Sequence, residues 1–432
     1  MSIMKSLNTA TSGIRSHSEA LSVVGDNIAN VNTVGYKRSR ANFQDMLGRS
    51  IAGSSALPQA GAGARVGSIQ QMWAQGALMT TESPTDLALN GSGFFVVKGN
   101  SGGVEGNFYT RAGQYNLDQE GYLVNQEGLR LQGYPADGTG AVGGTLGDLQ
   151  VEQGTIGANA TTSADIGANL DSETAVRTDA WDPADPSGTS DFSSNVTVYD
   201  SLGNAHEVTV YYRKTGANAW EWHAMADGAE VTGGTPGTPF EGASGTLTFT
   251  TDGMLDTETT SASSWDFVDA TPGQAVTFDF GDSITTDSGT GMSGTTQYAS
   301  PSTNTGISQD GYGAGEVAGI SIGQDGTIEG VFTNGQRRVL GQVAVADFAS
   351  VDGLERAGQG LWIETQASGE AVVGAAGTGG RGAVVAGALE GSNVDLAREF
   401  VDLIAYQRGF SANGRIVSTA DEMYQELVNL KR

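Results

Sequence analysis

Two rows of apolar residues repeat at intervals of seven, and they stand at opposite ends of the chain. Near the start, Leu7, Ile14, Leu21 and Ile28 recur, with Ala10, Val24 and Val31 three residues after the first, third and fourth of them and a break at His17. Near the end, Leu396, Leu403, Phe410, Val417 and Tyr424 recur, with Tyr406, Ala420 and Leu427 on the adjoining row. Such a repeat is the seam of packed helices. The first helix dissolves within "VVGDNIANVNTVGYKR" (23–38), where Asn27, Asn30, Asn32, Thr33, Gly35 and Tyr36 end it and begin a connector. There Asn side chains can bond freed backbone groups, and Gly35 can take a positive φ. The second helix opens at "GSNVDL" (391–396), where Ser392 or Asn393 can cap and Asp395 suits the first-turn dipole. Either helix alone is marginal in water. Nothing nearby in sequence offers a matching stripe, so the expected partner of each is the other, more than 360 residues away.

Between the ends the pattern is β. The chain of 432 residues contains 65 glycines, which turns use readily and helices do not. "DLALNGSGFFVVKG" and "NFYTRAGQYNLDQEGYLVN" read as short strands broken by turns. "SNVTVYDSLGNAHEVTVYYRK" reads as a hairpin turning at Ser201–Asn204, and Asp325-Gly326 and Asn334-Gly335 mark two more turns. Residues 48–68 are small and polar and read as an irregular linker, and the Thr/Ser/Gly-rich stretch 285–315 as a second connector. No internal repeat is evident. The expected fold class is α+β: a discontinuous helical coiled-coil domain (1–32 with 393–432), a connector (33–75), a first mainly-β domain (76–150 with 298–392), and a second mainly-β domain (151–297) inserted into it as an outer domain.

Charge narrows the function. The formal net charge is −27, which disfavours nucleic acid as a partner. Residues 151–297 hold 22 acidic side chains against Arg177, Arg213 and Lys214, so −19 of the total lies there. Residues 1–50 carry six basic and three acidic side chains, a net of +3. With no cysteine, neither disulfides nor thiolate metal sites are available. The start "MSIMKSLNTA" lacks the apolar core of a signal peptide, and no run is long enough to predict membrane insertion.

Enzyme signatures are superficial. "GNSGG" (99–103) follows a strand, but no helix comes after it as a nucleophile elbow requires. "GTGAVG" (138–143) and "GTGGRG" (377–382) begin no helix and read as turns. Asp200, Ser201 and His206 share one hairpin turn, where turn chemistry explains them better than a triad. His17 and His223 form no metal pattern, and "NLDQEGYL" and "GQDGTIEG" lack full calcium-loop spacing. No catalytic residue, metal or cofactor is predicted. A helix pair projecting from a β body buries too little to offset the ordering of about sixty residues, so neighbouring copies are expected to complete the packing. Contacts between non-identical patches build an open helical array.

"NIANVNTVGYKRSRANF" (27–43) and "LEGSNVDLAREFVDLIAYQRGFSANGRIVSTADEMYQELVNLKR" (389–432) resemble the terminal signatures of the bacterial flagellar rod/hook axial protein family. "TDLALNGSGFFVV" (85–97), "YTRAGQYNLDQEGYLVNQEGLRLQGY" (109–134) and "NGQRRVLGQVAVADFASVDGLERAGQGLWIET" (334–365) are similar to its first β-domain. The large insert is similar to the hook-type members rather than to the shorter rod subunits. The resemblance implies a structural homopolymer, a curved hollow tube that joins rod to filament and transmits torque. The terminal helices would line the inner tube, with the first β-domain around them and the insert outermost. It also implies export through the flagellar type III apparatus without a cleaved signal peptide, an extracellular location, and the distal rod, hook cap and hook–filament junction proteins as partners. Two other readings stand beside it: a rod subunit of the same family, and a secreted β-rich carbohydrate-binding protein using Trp181, Trp220, Trp222 and Trp265.

Overall fold

A computed structural model describes residues 2–47, 61–151 and 155–429. It is mostly β, with long helices Ser2–Ala29 and Leu396–Asn429 near its two ends. The chain divides into two compact units, one of residues 1–153, 319–331 and 337–432, the other of 154–318 and 332–336.

In the first unit, a sheet runs in the order Thr327–Phe332, Arg337–Asp347, Arg130–Pro135, Phe94–Ser101, Val104–Thr110, Leu361–Ile363 and Glu355–Gly358. Its centre is buried on both faces, which explains the unbroken apolar run "FFVV". Phe95 and Val97 join Phe108, Leu131 and Val345 in one core, while Phe94 and Val96 pack with Tyr109, Phe348 and Trp362 in another. "GNSGG" is the tip of the Phe94–Ser101/Val104–Thr110 hairpin, with Gly102 and Gly103 at positive φ.

In the second unit, a five-stranded meander runs from Phe192–Tyr199 through Ala205–Gly216, Ala219–Asp227 and Pro239–Phe249 to Leu255–Ser263. It shares a core with a three-stranded sheet of Thr277–Asp279, Ser163–Asn169 and Thr303–Gln309. Trp220, Trp222 and Trp265 lie in that core, fully buried. They therefore form no sugar-stacking platform, which removes the aromatic groove on which the carbohydrate-binding reading depended.

One turn recurs in both units. Asp118, Asn125, Asp137, Asp200 and Thr250 each accept the N–H groups two and four residues on, with a glycine at positive φ three residues on. The shared spacing is Asp/Asn/Thr-x-x-Gly, a small repeat that the whole-chain reading passed over. It also accounts for the calcium-like loop at 116–123. Asp200 spends Oδ1 on this turn and meets His206 Nε2 with Oδ2 at 3.3 Å, but Ser201 accepts from the Thr271 N–H, so the three do not line up as a triad.

Two segments differ from their sequence reading. Within the supposed linker, Gly61–Gln71 is a strand paired antiparallel with Ser39–Leu47; residues 48–60 lie outside the described residues. Its small residues carry no period-two pattern because they fit a helix at close range: Gly63 sits against Ser12, and Ser16 donates to the Ala64 carbonyl at 2.9 Å. The connector at 285–315 likewise contains the strand Thr303–Gln309, whose polar residues are mostly exposed along a sheet edge.

Candidate functional site

The two long helices lie antiparallel with a definite register. A Cβ added at Gly13 would stand 2.8 Å from the Asn413 side chain, and one at Gly409 2.6 Å from Nε2 of His17. Asn27 Nδ2 donates to Glu399 Oε2 at 3.1 Å. Paired positions 13/413, 17/409 and 27/399 share one sum, so the contact is straight over about four turns. His17, Phe43 and Tyr406 bring the Ser39–Leu47 strand onto the seam, with ring centroids 5.6–6.1 Å apart.

The buried faces of the helices are narrower and more polar than the sevenfold rows. On the first helix, Ala10, Ser16, Ala20, Val23, Val24 and Asn27 are buried, while Leu7, Ile14, Leu21 and Ile28 flank them half-covered. On the second helix, Glu399 and Ala420 are buried, and Leu403, Tyr406 and Val417 are half-covered. Leu396, Phe410 and Tyr424 are exposed, and the side chain of Leu427 lies outside the described residues. Helix backbones approach where Gly, Ala and Ser allow it, which displaces the large side chains to the flanks.

At the root of the helices the connector motif becomes a buried polar junction. Asn27 Oδ1 accepts from the Ser39 N–H at 2.8 Å and from the Tyr36 hydroxyl at 3.3 Å, and its Nδ2 donates to the Ser39 carbonyl at 2.8 Å. Asn30 donates to the Asp26 carbonyl at 2.8 Å, and its Oδ1 accepts from the Thr33 hydroxyl at 3.1 Å. Asn32 is exposed. Gly35, at φ 69°, donates its N–H to the Glu390 carbonyl at 2.7 Å, and a Cβ there would stand 2.6 Å from the Arg111–Ala112 peptide. A side chain at Gly35 is therefore excluded by both conformation and space.

The ionic centre of this junction was not legible as a motif. Glu390 is fully buried; its Oε1 meets Lys37 Nζ at 2.5 Å and the Gly76 N–H at 2.8 Å, and its Oε2 meets Arg111 Nη1 at 3.2 Å. Arg111 also donates to the Gly91 carbonyl at 2.8 Å, and Lys37 to the Ala74 carbonyl at 3.0 Å. Burial lowers the Lys37 pKa from its ordinary value against the opposing pull of Glu390, and burial lowers that of Arg111 as well. Beside this centre, Arg38 pairs with buried Glu399 at 3.2 Å. Asn393 accepts from the Arg38 N–H and donates to the carbonyls of Met72 and Ala74, so it ties three strands of chain together rather than capping the helix. The capping role falls to Asp395, which accepts from the Ala397 N–H at 2.9 Å. "EGSN" closing on "GYKR" was the available signal, but a lone Glu beside Gly does not announce its burial.

Comparison with known proteins places this architecture. The flagellar basal body rod protein family matches residues 7–37, the flagellar hook protein FlgE/F/G D1 domain 88–169, the flagellar basal body protein FlaE D2 domain 169–312, and the FlgEFG protein C-terminal family 385–430. The flagellar hook protein FlgE of Borreliella burgdorferi is 36% identical over 99% of this chain and 100% of its own length. The chain belongs to the flagellar hook protein family. The Salmonella typhimurium protein of that name is 35% identical over 99% of the chain and 100% of its length, and the Treponema pallidum protein 35% identical over 100% of each. The crystal structure of Helicobacter pylori flagellar hook protein FlgE2 shares the fold, with a TM-score of 0.51 at 15% identity over 71% of this chain and 98% of that one.

Proposed function

We propose that this chain is a structural subunit of the bacterial flagellar hook, and that copies of it polymerise into a hollow flexible tube coupling rod to filament. The observation that carries this reading is end-to-end similarity to hook proteins, insert included, which also disfavours a shorter rod subunit. The helices and their buried root would form the inner tube, with Leu7, Ile14, Leu21, Ile28, Leu396, Leu403, Phe410, Val417, Tyr424 and Leu427 as packing positions. The first β-domain would surround them, and the acidic insert would lie outermost. Export without a cleaved signal, and contacts with rod, cap and junction proteins, belong to the same proposal. All three basic residues of the insert are spent internally: Arg177 on Asp191 at 2.8 Å, Arg213 on the Asp179 carbonyl and Lys214 on the Ser172 carbonyl. Its remaining carboxylates thus repel across neighbours, giving salt-screened lateral contacts suited to sliding during bending. Electron microscopy of the purified full-length protein after prolonged incubation tests the proposal: tubes are expected, and persistent monomers at high concentration would refute it.

A further inference from the structure

The five-stranded meander of the second unit ends on the strand Leu255–Ser263, and its outer edge is not left bare. Residues 282–291 run along it as a strap. Ile284 and Thr285 donate their N–H groups to the carbonyls of Leu255 and Asp256 at 3.1 and 2.8 Å, and the Leu255 N–H donates to the Gly291 carbonyl at 3.0 Å. The Thr285 hydroxyl donates to Asp256 Oδ1 at 2.6 Å, and Thr286 Oγ1 accepts from the Glu258 N–H at 3.3 Å. Gly281 and Gly291, at φ 120° and 67°, bracket the segment. Ser283 is buried and Ile284 half-covered, but the strap's other side chains are exposed. Polar contacts rather than apolar burial therefore hold it down, and a segment so held opens easily.

One of those contacts joins two acids. The carboxyls of Glu258 and Asp287 share a hydrogen bond, which needs a proton on one of them, because ionised carboxylates only accept. Glu258 is the one that holds it. Its carboxyl is half-buried, with Oε2 accepting from the Phe280 N–H at 3.0 Å, whereas Asp287 is exposed and accepts from the Ser283 hydroxyl at 2.6 Å. Besides Asp287, the charged group facing Glu258 is Asp279, and the cross-strand partner Leu247 brings none. The unit's three basic side chains are spent on Asp191 and on the Asp179 and Ser172 carbonyls, so no cation there offsets a second negative charge. We propose that the Glu258–Asp287 pair is a proton-operated latch on this strap. The strap is closed while the pair shares one proton. It is released when that proton leaves and two carboxylates face each other, which uncovers the outer backbone groups of Leu255, Asp256 and Glu258. Burial, reinforced by Asp279 and Asp287, raises the Glu258 pKa to about 7, which sets the working range of the latch near neutrality.

Amide hydrogen exchange of the dilute full-length chain at pH 6 and pH 8, corrected for the intrinsic pH dependence of exchange, tests this. The Ile284, Thr285 and Leu255 amides report the strap, and the Trp220 and Trp222 amides report the interior of the meander. Because the pair is partly solvated, the opening constant at the strap is expected to rise about fivefold from pH 6 to pH 8 while the interior amides do not change. In Glu258→Gln the amide donates to Asp287 without titrating, so the rise should vanish. Asp287→Asn, an exposed and conservative change, should abolish it as well, and decides the matter if Glu258→Gln folds poorly. Strap amides equally protected at both pH values overturn the proposal. So does a rise shared equally by Trp220 and Trp222, which would be global unfolding, and so does a wild-type rise that persists in either variant.

Discussion

Glu390 sits between two buried cations, and that geometry predicts an asymmetric response to substitution. In Glu390→Gln the side chain keeps its shape and can still accept from the Gly76 N–H, but Lys37 and Arg111 lose their shared counter-ion. The side chains of both are nearly inaccessible, at 1% and 7%. Removing one partner of a buried pair typically costs about 3–5 kcal/mol, because the other charge stays behind without compensation. Here two charges stay behind, which puts Glu390→Gln at the upper end of that range. Lys37→Met removes a cation that burial already disfavours, and Glu390 keeps Arg111 and Gly76. The expected cost is smaller, about 1–2 kcal/mol, since Glu390 is not left as an uncompensated charge. Urea unfolding of the full-length chain at pH 7 measures both. The pH dependence gives a second check with a fixed sign. Lys37 has a folded pKa below its unfolded value, so the unfolded chain binds more protons between the two and stability rises with pH through that window. Glu390→Gln removes the group that holds the folded value up and so widens the window, and that variant should recover more stability than wild type as pH rises toward the ordinary lysine value. Equal losses for the two variants, or a greater loss in Lys37→Met, would refute the assignment of Glu390 as the organising charge.

Other consequences are open to measurement. Burial raises the Glu258 pKa to about 7, so its contribution to stability is complete below the ordinary 4.5 and is lost as pH rises through 7. Because the group is half-exposed, the effect is about 1 kcal/mol, visible in thermal unfolding of the full chain and abolished in Glu258→Gln. Gly409→Ala places a methyl against His17; the gain in helix propensity of about 1 kcal/mol is outweighed by displacing the His17–Tyr406–Phe43 cluster, and a lower helical melting temperature is expected. A chain of residues 31–395 keeps Lys37, Arg111 and Glu390 but neither helix, and should be a folded monomer by sedimentation at any concentration; tubes formed from it would contradict the role given to the ends.

What the sequence disclosed and what it concealed separate along physical lines. Periodicity located both helices, and turn chemistry located the hairpins at 201–204 and 334–335, because each signal is local and strong. The hairpin strand Gly61–Gln71 escaped because its residues were selected to lie under a helix, and smallness erases the alternation by which a strand is read. The sevenfold rows drew attention to large side chains, yet close approach belongs to Gly13 and Gly409, while every described large residue of those rows is left half-covered or exposed at the edges. This is why a seam read from leucine-like positions indicates that helices associate without showing which faces meet. Glu390, Lys37 and Arg111 were hidden more deeply, for a buried charge is indistinguishable from a surface one until the fold brings its partners from 353 and 279 residues away. The same distance explains their value to the molecule. The junction closes only when residues 35–38, 76, 111 and 390 are all in place, so the direction of both helices depends on the completed β body rather than on either helix alone.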